Sequence, residues 1–256
     1  MAPNAAYPFL DWPGPIAFAH RGGASEVPEN TMPAFAHAVA LGYRYVETDV
    51  HATTDGELLA FHDGRLDRVT DRTGVIAELP WAEVRGALVD GREPIPRFED
   101  LLDAWPDLRI NVDPKHDAAI APLADAIVRA NAVDRICVGS FSDKRITKLQ
   151  RLVGAALCTS MGPRQVARLL AASRGLRRVG HLASPCAQVP VAQGPLPLVT
   201  ERFVTTAHER GVQVHVWTID DRTEMERLLE LGVDGIMTDR PQMLRELLIE
   251  RGEWHE

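Results

Sequence analysis

The stretch that decides the fold runs from His20 to Asp63 and reads HRGGASEVPENTMPAFAHAVALGYRYVETDVHATTDGELLAFHD. Two apolar runs in or beside it end on histidines, because residues 16–19 lead into His20 and residues 58–61 lead into His62. A core strand seldom ends on an ionisable group without a use for it, since burying such a group is costly. The stretch therefore predicts functional groups carried at the ends of buried strands.

Outward from this stretch, strand-like and helical patterns alternate along the whole chain. The predicted strands are residues 16–20, 44–50, 58–62, 108–113, 135–140, 155–159, 179–183, 212–217 and 234–238. The predicted helices are residues 31–41, 81–88, 97–105, 118–130, 142–152, 164–173, 200–210, 222–231 and 241–251. Several helical patterns are followed by a glycine, as at Gly42 and Gly232, which is typical of a helix C-terminus. This alternation indicates a parallel sheet covered by helices.

Nine strand-like segments exceed the eight positions of a barrel, and the short gap at Asp55-Gly56 decides which one is extra. Asp-Gly is a strong hairpin signal, and no crossover helix fits between residues 44–50 and 58–62. We therefore interpret 58–62 as an added hairpin strand and predict a TIM barrel, an α/β fold of eight parallel strands, as one domain over residues 1–256. An open doubly wound sheet is the alternative, although no GxGxxG or P-loop follows any strand. Residues 1–15 are expected to cover one end of the fold.

Composition restricts the class of protein. The chain has 256 residues, 45% of them hydrophobic and 25% charged, with a formal net charge of −8 and no block of like charge. This composition is typical of a globular protein and argues against a nucleic-acid partner. No apolar run reaches the roughly twenty residues of a membrane span, and no secretory signal is visible, so we expect no stable membrane insertion. The cysteines, Cys137, Cys158 and Cys186, show no CxxC spacing, which disfavours a zinc or disulfide framework and favours a reducing, cytoplasmic location.

The pieces HRG, PENT, the E-x-D pair, the DG turn and HD stand in one order over residues 20–63. Together they resemble the N-terminal signature of the glycerophosphodiester phosphodiesterases, and residues 214–218 and 231–241 resemble that family's later strands. The resemblance spans residues 16 to about 245. It implies a TIM barrel and hydrolysis of glycerophosphodiesters to glycerol 3-phosphate and an alcohol.

Acidic residues predict a metal site at the carboxyl ends of the strands, where barrel enzymes carry their active sites. Glu47 and Asp49 are two residues apart on one strand and project from the same face, and Asp113 with Lys115 repeats this spacing on the next barrel strand. Carboxylates so close repel one another unless a cation lies between them, and oxygen ligands suit Mg²⁺ or Ca²⁺. The family's metal ligands also map onto Glu47, Asp49 and Asp113. Family members generally carry Glu-x-Lys where this chain has Asp113-Pro114-Lys115, so Asp113, whose side chain is one methylene shorter, is expected to reach the metal either directly or through a bridging water.

The resemblance assigns His20 and His62 to acid–base catalysis, which suits imidazole because it titrates near neutral pH. Arg21 and Lys115 supply positive charge for a phosphodiester. Glu29 is expected to contact Arg21 or the substrate, Asn30 is expected to cap the following helix, and His51 is expected to lie in a loop. Trp217 forms an apolar wall for the substrate or packs in the core. The predicted strand ends carry the polar residues His20, Asp49, Asp113 with Lys115, Ser140, Thr159, Ser184, Trp217 and Asp239.

The sequence thus predicts a metal-dependent phosphodiesterase that acts on a small-molecule phosphodiester. Two alternatives remain. One is a lysophospholipase D-like enzyme acting on lipid phosphodiesters, for which the Pro-rich segment 185–199 is the only supporting feature. The other is a non-catalytic barrel that binds phosphorylated glycerol compounds, which the intact histidines and E-x-D pair disfavour.

Overall fold

The computed structural model of the protein describes residues 7–176 and 178–256. Its strands, in chain order, are β1 (Ile16–His20), β2 (Tyr45–Ala52), β3 (Leu58–Ala60), β4 (Leu88–Val89), β5 (Glu93–Pro94), β6 (Arg109–Pro114), β7 (Ile136–Val138), β8 (Cys158–Thr159), β9 (Cys186–Val189), β10 (Ala192–Gln193), β11 (Leu196–Pro197), β12 (Gln213–Val216) and β13 (Gly235–Thr238). Its α-helices are α1 (Met32–Ala40), α2 (Trp81–Val84), α3 (Phe98–Ala104), α4 (Ile120–Arg129), α5 (Asp143–Val153), α6 (Pro163–Ser173), α7 (Glu201–His208), α8 (Arg222–Glu230) and α9 (Pro241–Glu250).

Eight strands pair in parallel in the order β8-β7-β6-β2-β1-β13-β12-β9. The two ends of this row meet through a single parallel bridge between Ser160 and Cys186, where the Met161 N–H donates to the Cys186 carbonyl over 2.8 Å. The ring is therefore a TIM barrel, as predicted. We call the junction between β8 and β9 the seam. It has fewer paired positions than the other junctions of the barrel, because β8 has only two residues and a single bridge, just beyond its end, connects it to β9.

The added hairpin is also as predicted. Strand β3 pairs antiparallel with β2 and with no other strand of the barrel path. Segment 64–97, which includes α2, β4 and β5, packs with β3 around a separate small core that contains Leu59, Leu66 and Ile76. The excursion predicted for residues 64–107 thus rests on the hairpin before the chain re-enters the barrel at β6.

Alternation along the strands divides the main core into two layers. Ala17, Ala19 and Val46 point outward and pack against the surrounding helices. Phe18 and Tyr45 point inward, into a cluster that also contains Phe9 and Leu10 from the N-terminal segment. Period-two strands with apolar residues on both faces are expected where a sheet is covered on both sides.

The N-terminal segment closes the lower end of the barrel. Phe9 is fully buried, its carbonyl accepts a 2.8 Å hydrogen bond from Tyr45 Oη, and the Leu10 carbonyl accepts one of 3.2 Å from Gln213 Nε2. We call residues 7–12 the plug. The expected covering arm is thus observed for this part, and residues 1–6 lie outside the described residues.

One predicted strand is wrong. Residues 179–183 form no strand and are mostly exposed, and the barrel strand lies later, at Cys186–Val189 between Pro185 and Pro190. The two flanking prolines are typical of a loop, but the four residues between them suffice for a short strand. Ser184 therefore precedes its strand, on the side away from the strand ends, and its Oγ accepts a hydrogen bond from Gln165 Nε2.

Among the helices of the described ranges, none combines the length and the apolar character needed to cross a bilayer.

Candidate active site

Most of the polar residues predicted at strand ends do meet at the carboxyl end of the barrel. Their positions are His20 at the end of β1, Glu47 and Asp49 within β2, His62 two residues after β3, Asp113 near the end of β6, Lys115 directly after β6, Trp217 directly after β12 and Asp239 directly after β13. The Phe61 N–H donates to the Asp49 carbonyl over 2.9 Å, so the hairpin delivers His62 beside the carboxylate-bearing strand.

His20 lies between two carboxylates, and one of them is within hydrogen-bond distance. Its Nδ1 lies 2.7 Å from Asp239 Oδ1, and its Nε2 lies 3.6 Å from Glu47 Oε2. Burial would lower the pKa of His20, but Glu47 and Asp239 outweigh burial and raise that pKa above its usual value. A proton on Nδ1 donated to Asp239 leaves Nε2 free to accept a proton at the mouth of the barrel. The sequence placed Asp239 at a strand end but gave no sign of this pairing.

Cations and carboxylates alternate beside His20. Lys115 Nζ lies 2.6 Å from Asp49 Oδ1 and 2.9 Å from Asp113 Oδ2, and Arg21 Nε lies 3.3 Å from Asp49 Oδ2. Burial would lower the pKa of Lys115, but the two aspartates raise it, so Lys115 stays charged. Arg21 and Lys115 thus bring two positive charges into the site of a protein of net negative charge, as the binding of an anion requires.

The carboxylates suit a hard cation in chemistry, although they are not tightly gathered. Burial, followed by the charge of Asp49, raises the pKa of Glu47 to about 7, and burial also raises the pKa of Asp113. Asp49 Oδ2 is buried and accepts no hydrogen bond within the described part of the chain. An excess of buried negative charge and an unsatisfied oxygen are what a divalent cation would relieve. Over residues 7–176 and 178–256, however, only the three cysteines bring three ligand atoms within 4.8 Å of one another, and Lys115 Nζ lies between the two aspartates.

A second fixed histidine stands on the hairpin side. His62 Nδ1 lies 2.6 Å from Asp63 Oδ1, so its Nε2 is left free in the same way as that of His20. Arg68 Nε donates to Asp63 Oδ2 over 2.6 Å, and this contact is the main reason that the pKa of Asp63 is lowered to about 2. The His-Asp motif predicted His62 but no partner for Asp63.

Arg68 also joins the two sides of the site. Its Nη2 donates to Glu29 Oε1 over 2.6 Å and its Nη1 donates to Glu29 Oε2 over 3.1 Å. Glu29 Oε1 in turn accepts from Arg21 Nη1 over 3.1 Å, which confirms the expected contact between Glu29 and Arg21. Arg68 thus connects the carboxylate beside His62 to the carboxylate beside Arg21. Sequence reasoning missed it because it lies in an irregular segment, five residues beyond the recognised motif.

An aromatic pair lies beyond the ends of β7 and β12. Trp217 is half-buried, and its ring meets that of Phe141 edge-on at a centroid distance of 5.7 Å. Phe141 follows β7 and is 71% exposed. Trp217 also packs against the interior cluster that contains Phe9 and Phe18, so its position is compatible with both the predicted wall and packing in the core.

Two local expectations need correction. The cap of α1 is Thr31, whose side chain accepts from the Ala34 N–H, whereas Asn30 has a φ of +55° and accepts a hydrogen bond from Thr48 Oγ1. His51 is buried in β2 and its Nε2 lies 3.0 Å from the His62 carbonyl, because β2 runs longer than its apolar pattern suggested.

The glycine pair after Arg21 has a packing reason. A Cβ on Gly22 would lie 2.7 Å from Ala34 Cβ, and a Cβ on Gly23 would lie 2.7 Å from Pro241 Cγ, with positive φ at both glycines. These glycines allow the β1–α1 loop to contact two helices closely.

Comparison with known proteins agrees with this arrangement. The profile of the glycerophosphoryl diester phosphodiesterase family matches residues 20–243. A probable glycerophosphodiester phosphodiesterase 2 of Mycobacterium tuberculosis is 42% identical over 255 residues, covering 96% of this chain and 95% of that protein. A lysophospholipase D of Homo sapiens is 28% identical, covering 90% of this chain and 85% of that protein.

Solved structures share the fold. A glycerophosphoryl diester phosphodiesterase structure from Silicibacter pomeroyi has a TM-score of 0.83 at 23% identity and covers 98% of this chain and 100% of that one. An Oleispira antarctica phosphodiesterase, solved with the product sn-glycerol-3-phosphate, has a TM-score of 0.78 at 23% identity, covering 92% of this chain and 97% of that one.

Proposed function

The chain belongs to the glycerophosphoryl diester phosphodiesterase family, and from that premise we propose that it hydrolyses glycerophosphodiesters to glycerol 3-phosphate and an alcohol. In this proposal the enzyme depends on a metal ion and uses histidines for acid–base catalysis. The observation that carries this proposal is the pair of histidines whose Nδ1 atoms are held by carboxylates, at the same end of the barrel as the buried cluster of Glu47, Asp49 and Lys115. The structural relative that holds sn-glycerol-3-phosphate as its product supports this substrate class.

Two cationic side chains would receive the phosphodiester. Asp49 and Glu29 orient Arg21, and Asp49 and Asp113 orient Lys115. Because both side chains are already held in place, binding a phosphoryl oxygen would cost them little further rotational freedom. Glu47, Asp49 and Asp113 would hold the cation, Mg²⁺ or Ca²⁺, which supplies further neutralisation of the charge that develops on phosphorus-bound oxygens.

Proton transfer falls to the histidines. The Nδ1–H of His20 would donate its hydrogen bond to Asp239, and Nε2 would accept the proton of the nucleophile. His62, held by Asp63, would protonate the departing alkoxide. Two nucleophiles fit this scheme, a water molecule or the 2-hydroxyl of the glycerol itself, and the second route passes through a cyclic phosphate.

The aromatic wall would take the apolar part of the substrate. Trp217 and Phe141 offer ring surface for glycerol carbons or for the alcohol substituent. The same wall favours one alternative, action on a lipid phosphodiester. Leu196, in the β10–β11 hairpin that follows β9, is another exposed apolar residue, and a human relative of this chain is a lysophospholipase D.

The deciding experiment measures release of glycerol 3-phosphate from glycerophosphocholine. Protein stripped with EDTA is assayed alone and after Mg²⁺ or Ca²⁺ is restored, beside His20→Ala, Glu47→Ala and the control His37→Ala, whose side chain pairs with Glu26 at the surface. We expect activity that returns with the metal, survives in the control and is abolished in the other two variants.

Lysophosphatidylcholine, tested in parallel, separates the two substrate classes. Faster turnover of the lipid would favour the lysophospholipase D alternative. Folded protein that turns over neither substrate, nor a panel of other head groups, would contradict the proposal. A cyclic phosphate detected early in the reaction would identify the 2-hydroxyl route.

A further inference from the structure

All three cysteines of the chain converge in one place, although their sequence spacing forms no motif. Cys137 lies in β7, Cys158 begins β8 and Cys186 begins β9, so they occupy three neighbouring strands on both sides of the seam. Each is at most 1% exposed, and all three belong to the cluster that fills the barrel interior. Gly139, Ser160 and Gln188 lie two residues further along the chain, Gln188 within β9 and the other two directly after β7 and β8, so the sulfurs occupy the interior layer beneath the one nearest the active site.

The sulfurs are spaced as ligands of one ion. All three lie within 4.8 Å of one another, and Cys137 Sγ is 4.0 Å from Cys186 Sγ. A metal at about 2.3 Å from each of three sulfurs in a plane would hold them about 4.0 Å apart. A disulfide would require sulfurs at about 2.05 Å and would leave the third cysteine unused.

We propose that Cys137, Cys158 and Cys186 form a trigonal binding site for one thiophilic monovalent cation, Cu⁺. Soft sulfur ligands select Cu⁺ over the hard cations that suit the carboxylates above, and zinc in structural sites takes four ligands. The apolar and aromatic members of the cluster include Phe9, Phe18 and Met237, and the buried imidazole of His215 lies close enough to Cys186 to influence its charge.

Access to the site is through the plug. Tyr7 and Phe9 pack against the cysteine cluster and cover that end of the barrel. The ion would therefore enter during folding or during transient opening of the plug, and its binding would add to the stability of the folded chain.

The test uses the full chain, unfolded and refolded without oxygen in the presence of one equivalent of Cu⁺. Bathocuproine disulfonate, a Cu⁺ chelator, then removes loosely held copper before copper is quantified. We expect one retained copper per chain, a shell of sulfur neighbours at about 2.3 Å in X-ray absorption, and an unfolding midpoint raised by about 5 °C or more.

Substitutions assign the copper to these sulfurs. Cys186→Ser and Cys137→Ser are expected to lose the retained copper and the stabilisation. Val138→Ala alters the packing of the same strand without removing a sulfur and should keep both. The X-ray absorption measurement on the unsubstituted chain remains decisive even if a serine variant fails to fold. Less than a tenth of an equivalent retained, a shell containing nitrogen or oxygen, or retention unchanged in the folded serine variants would overturn the proposal.

Discussion

At the residue scale, the site is built from pairs in which a carboxylate fixes a functional group. Asp239 holds His20, Asp63 holds His62, and Glu29 holds Arg21. None of these three carboxylates is assigned a reacting role, yet each decides which atom of its partner faces the substrate. Substitutions at such positions should change rate and pH dependence while the fold is retained.

Asp239→Asn should separate orientation from presence of the base. It should lower kcat by roughly 10²-fold or more, because the amide no longer selects the tautomer with Nδ1 protonated. Asp239 contributes to the raised pKa of His20, so its removal should also lower that pKa and move the acidic limb of the kcat/KM profile to lower pH. Asp125→Asn, on the exposed face of α4, is the control. An acidic limb that stays in place would show that His20 does not act as the base.

Arg68→Gln should reduce kcat by roughly 10- to 100-fold with a smaller effect on KM, since it releases both Asp63 and Glu29 from one shared partner. Arg68→Lys keeps the charge but not the planar fork, and should recover only part of the rate. Steady-state kinetics of both variants test this, with Arg65→Gln, whose exposed side chain pairs with Asp67, as the control. Full activity in Arg68→Lys would show that the positive charge at residue 68, and not the planar side chain that bridges Asp63 and Glu29, sustains the rate.

At the scale of single elements, short polar contacts join helices to strands. His208 ends α7, and its Nε2 lies 2.8 Å from Asp234 Oδ2, which also accepts the Val214 N–H of β12 over 2.7 Å. The hydrogen bond to Asp234 raises the pKa of His208 above its usual 6.5. This pairing links the end of a helix to the strand beside it.

The stability from this pair should depend on pH with a definite sign. Because the folded pKa of His208 is raised, its contribution is fully present below about pH 6.5 and is lost as the pH rises through the folded value. His208→Gln should therefore lower the free energy of unfolding at pH 5.5 by less than about 1 kcal/mol, since the side chain is partly exposed, and should have almost no effect at pH 8.5. Urea unfolding at the two pH values measures this, and an equal loss at both would exclude the charge as the cause.

Elements with strong local patterns were predictable from sequence, and elements defined by distant partners were not. The Asp55-Gly56 turn placed β3 correctly as a hairpin strand. Strand β9 was missed because four residues between two prolines give no pattern of their own and become a strand only beside β12. For the same reason the motifs located His20 and His62, whereas Asp239, Arg68 and the cysteine cluster depend on contacts between residues far apart in the chain.

At the scale of the whole molecule, the barrel has two differently used ends. The plug fills one end with buried aromatic side chains, and the other end carries the ionisable residues. In such barrels the carboxyl ends of the strands serve catalysis and the opposite end serves stability.

Two matched phenylalanine substitutions should show this division. Phe9→Ala removes a fully buried ring that meets Tyr45 edge-on at 5.3 Å, and should lower the free energy of unfolding by about 3–5 kcal/mol with kcat unchanged in the folded protein. Phe141→Ala removes an exposed ring, and should change stability by less than about 0.5 kcal/mol while raising KM roughly 5-fold. Denaturant unfolding and kinetics on both variants test the division, and a destabilised Phe141→Ala would contradict it.

The seam is the place where the barrel is expected to open locally most often. With one bridge between β8 and β9, against three or more paired positions between β1 and its neighbours, the backbone amides of Ser160 and Met161 should exchange with deuterium before those of β1 and β2. The three cysteine sulfurs lie on both sides of the seam, so an ion bound between them would crosslink the barrel at its least hydrogen-bonded junction. The stability of the closed barrel would then depend on whether the ion is bound as well as on the sequence.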